Sequence, residues 1–355
     1  MIQESFVNKV DIRAHIPVAY TLMRITIYDI AKKAGVSPKT VARILNGESG
    51  RPKNTEKIKK IADELGYVRN KSAAILRSGK SNSVGVVISS LTNPFYSVFL
   101  EALYSEAKRR NLHIVSGVTF GDTATLRDTF DSFIASRVAG IIAGVDEEHP
   151  LEEWEDVVEK IIKLKIPLLL SGTESKWPEV PGFIGNDVHT MTLLIDHLLE
   201  RGKEKIGFIG GPLHVQGHRN RYDGFMKAMS TAKLKQRTSW ILTGEASVGG
   251  GEQMAQKLLQ RTNRPDAIIC SNDILAVGAI RAAHLENLDI PKDIAITGID
   301  DIPFSEFTYP ELTTVRQPWV MMAKVMLDTL VPESIQKDDR REMLTHVQLV
   351  VRKSS

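Results

Sequence analysis

The chain has 355 residues and a net charge of +3, and its 42% apolar and 25% charged content is an ordinary globular balance, enough for a small module plus a large body. Its single cysteine, Cys270, excludes a disulfide framework and a cysteine zinc site and fits a reducing compartment. No apolar run approaches the roughly 18 residues that a membrane span needs.

Residues 1–23 read as an extension, disordered or preceding a true start at Met23. Asp11, Arg13 and His15 interrupt any apolar core that a secretory signal would need. The stretch IYDIAKKAGVSPKTVARILNG, from Ile27 to Gly47, reads as two short helices. Ile27, Ile30, Ala31 and Ala34 share one face at the helical period. Gly35 stops the first helix, Ser37 caps the second and Pro38 opens it. Val41, Ile44 and Leu45 supply the second apolar face. Two short helices on a tight turn cross steeply, so Ala31 is small where they meet. This is a helix-turn-helix pattern, more specific than the ordinary helical hairpin of an enzyme. NTEKIKKIADELGYV then gives a third helix with Ile58, Ile61, Ala62 and Leu65 as its stripe and Gly66 at its end. Between Arg24 and Lys80 there are 14 Lys+Arg and 5 Asp+Glu, a charge of +9, whereas residues 81–355 sum to −6. Cations concentrated on a helix-turn-helix point to a phosphate backbone.

NKSAAILRSGKSNS, Asn70 to Ser83, is polar, basic and too poor in apolar residues to hold a helix alone; it reads as a linker that becomes helical on contact. From Val84 the pattern changes to short apolar runs alternating with amphipathic helices: VGVVIS, HIVSGV, AGIIAG, PLLLSG, KIGFIGG, DAIICSND and DIAITGID. These predict an α/β body of parallel sheets covered on both faces, with sites at the carboxyl ends of the strands. Enzyme signatures are missing. There is no Walker phosphate loop, GFIGGP lacks the full dinucleotide spacing, and GEASVGGGE reads as a glycine-rich loop with no strand before it. His214 and His218 are four apart on an expected loop and make a poor metal pair. Cys270 reads as a small core residue. Asp300 and Asp301 are adjacent, so their side chains diverge rather than form an acid/base pair.

The motifs ITIYDIAKKAGVSPKTVARILNG, LGYVRN, AAILRSGKSNSVGVV, LTNPFY, RVAGII, HLLERGKEKIGFIGGP, RYDGFMKAM, CSNDILAVGAI, GIDD, PELTTVRQP and LVVRK, in this order, resemble the LacI/GalR (lac repressor) family of bacterial transcriptional regulators over residues 24–353. The resemblance implies a small all-α helix-turn-helix headpiece and a core of two parallel-sheet subdomains like the type 1 periplasmic binding proteins. It divides the chain into the headpiece at 24–69, a hinge helix and linker at 70–82 and a core at 83–355. The N-subdomain would take 83–186 and 318–344, and the C-subdomain 187–315 and 345–355. It further implies a cytoplasmic, nucleoid-associated homodimer on a near-palindromic operator, with no cofactor or metal. A small effector between the subdomains would change DNA affinity.

By the same resemblance, Pro38, Lys39 and Arg43 read bases. Lys39 and Arg43 lie four apart on one helical face and both suit guanine O6/N7. Thr26, Tyr28, Ser37, Thr40, Asn46 and Tyr67 fall where family members touch the backbone or nearby bases. Asn70, Ala73 and Leu76 belong to the hinge, with Leu76 as a minor-groove wedge. Effector contacts map to Phe95, Tyr96, Arg221, Asn272 and Asp300, a set that suits a polyol, with Arg221 and Asp300 expected on opposite sides of the cleft. Turn-capping is the plainer role for Asn272 and Asp300. Ala42 stands where serine is usual, the loop before the third helix departs from the pattern, and Gly172-Thr173 replaces a common Asp-Arg pair, which weakens a common hexose as effector. A sugar or sugar derivative is the leading class, with a purine or other metabolite as the alternative. A solute-binding protein, or an enzyme on the same scaffold, are the competing functions.

Overall fold

The computed structural model describes residues 25–45, 52–67, 81–144, 150–332 and 347–355, which belong to two compact units divided after Arg77. In the first unit, α1 (Ile27–Ala34) opens with a capping box: the Thr26 hydroxyl accepts from the Asp29 amide, and the Asp29 carboxylate accepts from the Thr26 amide at 2.8 Å. Gly35 ends it at φ 71°, a left-handed position that any side chain would strain. Ser37 accepts from the Thr40 amide at 3.2 Å to start α2 (Pro38–Leu45). α3 (Pro52–Glu64) begins two residues earlier than the reading from Asn54, because a proline suits the first helical position. It closes through Gly66 (φ 64°), with the Tyr67 amide donating back to the Ala62 carbonyl at 2.8 Å. Ile30, Ala31, Ala34, Val41, Ile44, Ile58, Ile61 and Ala62 make the buried core of the three helices.

The second unit holds two sheets. The first has the order β2-β1-β3-β4-β5, with β1 (Ser83–Ile88), β2 (His113–Val118), β3 (Gly140–Gly144), β4 (Leu168–Ser171) and β5 (Gly182–Phe183), all parallel. Helix α4 (Pro94–Arg109) covers one face, while α5 (Thr123–Ala135) and α6 (Glu155–Lys163) cover the other. The second sheet contains β6 (Ile206–Gly210), β7 (Ile241–Thr243), β8 (Ala267–Cys270), β9 (Ala295–Asp300) and β10 (Thr313–Arg316) in the order β10-β9-β8-β6-β7, again parallel. Helices α7 (Asp187–Glu200) and α8 (Gln216–Thr231) pack on one side of it, α9 (Val248–Leu259) and α10 (Asp273–Leu285) on the other. After β10 the chain returns to place α11 (Trp319–Leu330) beside α4 on the first sheet. It ends with β11 (Gln348–Val350) antiparallel to β10. In both sheets the strand order reverses next to the first strand, β1 or β6, and it is at such switch points that carboxyl-end loops leave a crevice.

The glycine-rich stretch Gly244–Glu252 corrects the sequence reading. It follows a strand, β7, and its glycines Gly249–Gly251 lie inside α9, capped by Ser247 accepting from the Gly250 amide at 3.0 Å. The glycines serve packing between α9 and α10. A Cβ on Gly251 would sit 2.3 Å from the Leu275 carbonyl oxygen, and one on Gly278 would sit 2.1 Å from that of Val248. Cys270 is fully buried in β8, and burial pushes its thiol well above the usual range, which suits the small core residue expected.

Candidate functional site

On the first unit, Lys39 and Arg43 are exposed one turn apart on α2, and neither has an ion pair or hydrogen bond among the described residues. Two other cations of this unit, Lys57 and Lys33, are already engaged. Lys57 donates to the Ala34 carbonyl at 2.9 Å, which neutralises the C-terminal end of α1, and Lys33 pairs with Glu64 at 3.0 Å. Tyr28 is 68% exposed, an unusual position for an aromatic with no packing role. Thr26, Ser37 and Thr40 are tied into the caps, and Tyr67 packs against the core, so these four have structural work beside any contact with a partner. Pro38 is partly buried at the head of α2. Asn46, Asn70, Ala73 and Leu76 lie outside the described residues.

On the second unit, a cavity of about 580 Å³ opens at the carboxyl ends of both sheets. It is lined by all five of the expected effector residues, Phe95, Tyr96, Arg221, Asn272 and Asp300. Phe95 stands at the start of α4, edge-on to Tyr96 and to Trp319 of α11, each with ring centroids 5.2 Å apart. The Tyr96 hydroxyl accepts from Ser89 at 2.8 Å. Asn272 caps α10 by accepting from the Leu275 amide at 2.9 Å, so the plainer role holds for its oxygen even as the residue lines the cavity.

Arg221 and Asp300 do not stand on opposite walls. They are bonded to each other: Nη2 donates to Oδ1 at 2.8 Å and Nη1 approaches Oδ2 at 3.5 Å. Nη1 also donates to the Ser271 carbonyl, and Nε faces Asp187 Oδ1 at 3.6 Å. A buried guanidinium without a carboxylate would be strongly unfavourable, which is why Arg221 finds its partner within the chain. Burial alone would depress the guanidinium, but the Asp300 and Asp187 charges outweigh it and hold Arg221 protonated. Burial raises both carboxyls above the usual range, against the pull of Arg221. Asp300 sits at φ 113° and Asp301 at φ 51°, backbone that non-glycine residues seldom adopt. The two side chains diverge as expected: Asp300 turns inward, whereas Asp301 accepts from Arg316 at 2.6 Å and from Arg352 at 2.7 Å.

Several cavity residues were not legible from the motifs. Asp187 opens α7. His218 lies in the first turn of α8, one turn before Arg221, and not in a loop; burial and then the Arg221 charge lower its imidazole to about 4, so it is neutral at ordinary pH. Its ring fills the space that a side chain at Gly211 would need, 2.5 Å from a Cβ there. Gln317, Trp319 and Glu245 complete the wall. Behind it, Asp273 is buried and accepts from the Ile302 amide at 2.9 Å, from Ser305 at 2.7 Å and from Thr314 at 2.5 Å. Burial, and then the neighbouring Asp300, push its carboxyl up to about 7.

A cationic helix-turn-helix unit, followed by a two-sheet core with a cleft at the carboxyl ends of its strands, defines a DNA-binding regulator. Residues 26–70 match the model of bacterial regulatory proteins, lacI family, and residues 195–355 match a periplasmic binding protein-like domain. The chain is 30% identical to the HTH-type transcriptional repressor PurR of Pasteurella multocida (strain Pm70), over 93% of this chain and 98% of that one. It is 31% identical to the HTH-type transcriptional regulator DegA of Bacillus subtilis (strain 168), over 83% and 87%. Its fold superposes on a lac repressor dimer bound to operator and the anti-inducer ONPF with a TM-score of 0.78 and 26% identity, covering 93% of this chain and 98% of that chain. The chain belongs to the lacI family of bacterial regulatory proteins.

Proposed function

We propose that the chain is a cytoplasmic, nucleoid-associated transcriptional repressor that binds a near-palindromic operator as a homodimer and is controlled by a small molecule in the cleft of its second unit. Lys39 and Arg43 read bases from α2, with Pro38 adding an apolar contact. Thr26, Tyr28, Ser37, Thr40 and Tyr67 hold the backbone. Phe95, Tyr96, Asn272 and the Arg221–Asp300 pair receive the effector. The observation that carries this reading is the contrast between cations: Lys39 and Arg43 on α2 are exposed and have no ion pair among the described residues, while the cleft's guanidinium is largely buried and paired. The repressor role is supported by the PurR relative and by the operator-bound lac repressor structure. Phe304, Phe307 and Tyr309 are 60%, 78% and 86% exposed, an apolar surface that suits contact with a second copy.

The effector class is a sugar or sugar derivative, with a purine or other metabolite as the second candidate. The reading is tested by sequencing genomic DNA fragments retained by the full-length protein. Enrichment of a near-palindromic site, lost in a Lys39→Ala/Arg43→Ala double variant, supports it; equal retention of all fragments by both proteins overturns it.

A further inference from the structure

We infer that the cleft takes an uncharged or cationic ligand that donates hydrogen bonds to Asp187, and that it rejects phosphorylated and carboxylated ligands. This rests on the reading of the cleft as the effector site. Arg221 is the only lysine or arginine among the described residues that line the cavity, and its charge is already committed to Asp300, at 2.8 Å, and to Asp187. Against it stand three lining carboxylates, Asp187, Asp300 and Glu245. His218 adds no compensating charge, since its imidazole is neutral.

Helix N-termini could offset this deficit, because their free amides attract anions. Four of them at the cleft spend one amide each on a side-chain cap, while the starts of α8 and α11 carry no such cap. Asn93 accepts from the Phe95 amide at 3.0 Å, Asn186 from His189 at 3.2 Å, Ser247 from Gly250 at 3.0 Å and Asn272 from Leu275 at 2.9 Å. An incoming phosphate would meet like charge in a low-dielectric cleft whose one guanidinium is already paired.

Asp187 says what the ligand brings instead. Its side chain is 14% exposed, and its carboxylate accepts no hydrogen bond among the described residues; the nearest donor is Arg221 Nε at 3.6 Å, beyond bonding distance. A carboxylate on a cavity wall with no hydrogen-bond partner among the described residues is open to a hydroxyl, ring N–H or ammonium of the ligand.

The test is the thermal shift of the full-length protein, at constant ionic strength, with matched probes: glucose against its monophosphate ester, guanosine against its monophosphate, and glucosamine against glucuronate. We expect a saturable rise in Tm from at least one uncharged or cationic member, with its anionic counterpart about tenfold weaker or more. Asp187→Asn should narrow that discrimination. An anionic member that binds as tightly as its counterpart, with its shift lost in Arg221→Gln, overturns the ligand class and leaves the site reading intact. A shift unchanged in Arg221→Gln overturns both, because the ligand then sits outside the cleft. No response from any uncharged or cationic member at millimolar concentration also overturns the ligand class.

Discussion

Arg221 and Asp300 come from different elements, the middle of α8 and the end of β9, and meet at 2.8 Å on the floor of the cleft. Each therefore serves the fold before it serves a ligand. Arg221→Ala leaves Asp300 and Asp187 buried without a counter-charge, and the expected cost is about 3–5 kcal/mol of stability, as for other broken buried pairs. Urea unfolding of the two proteins checks this. A loss below about 1 kcal/mol would place the pair among the weak, solvent-screened ones.

The pH dependence of stability isolates Asp273. Burial, and then Asp300, push its folded carboxyl up to about 7, above the ordinary 3.8, so the folded state holds this proton more tightly than the unfolded chain does. The resulting stabilisation is complete below the unfolded value and is lost as pH rises through the folded one. Relative to Asp273→Asn, the wild-type chain should therefore lose stability between about pH 4 and pH 7. Denaturation midpoints across that range measure the difference, and parallel curves would contradict the assignment.

Base readout is separable from phosphate attraction. Arg43→Ala should cost about 1–3 kcal/mol on the cognate operator and relax preference at one base pair, with little change on scrambled DNA. Fluorescence anisotropy on both DNAs decides, since equal losses would make Arg43 a phosphate contact.

Close packing of α9 on α10 predicts that Gly278→Ala destabilises the second unit by about 1–3 kcal/mol or more, because its methyl group would collide with backbone rather than with a movable side chain. Thermal unfolding tests it, and an unchanged Tm would mean the two helices separate at no cost.

Much of this was readable from residue types. Ala31, Gly35, Ser37 and Val41 each have a local steric or capping reason, so α1 and α2 followed with their boundaries. The main parallel strands were legible as continuous apolar runs. The strands β5, β7, β10 and β11 span only two to four residues and carry too little apolar pattern. GEASVGGGE misled because glycine signals both loops and close helix contacts, and only the partner helix tells them apart. In the cleft, the family motifs pointed to Arg221 and Asp300 but not to their mutual bond, which depends on a helix and a strand end meeting in space. Asp187, His218 and Trp319 stand in no motif that marks them, and their role follows from position alone.

We propose that the ligand in the cleft and the operator on the helix-turn-helix are coupled, so that by linkage each changes the other's affinity by the same factor. The direct measurement is operator Kd for the full-length protein, with and without the saturating ligand found in the thermal-shift series, in wild type and in Arg221→Gln. We expect a change of about fivefold or more in wild type and none in Arg221→Gln, with equal affinities when no ligand is present. A wild-type Kd that ignores the bound ligand, or a shift that persists in Arg221→Gln, would contradict it.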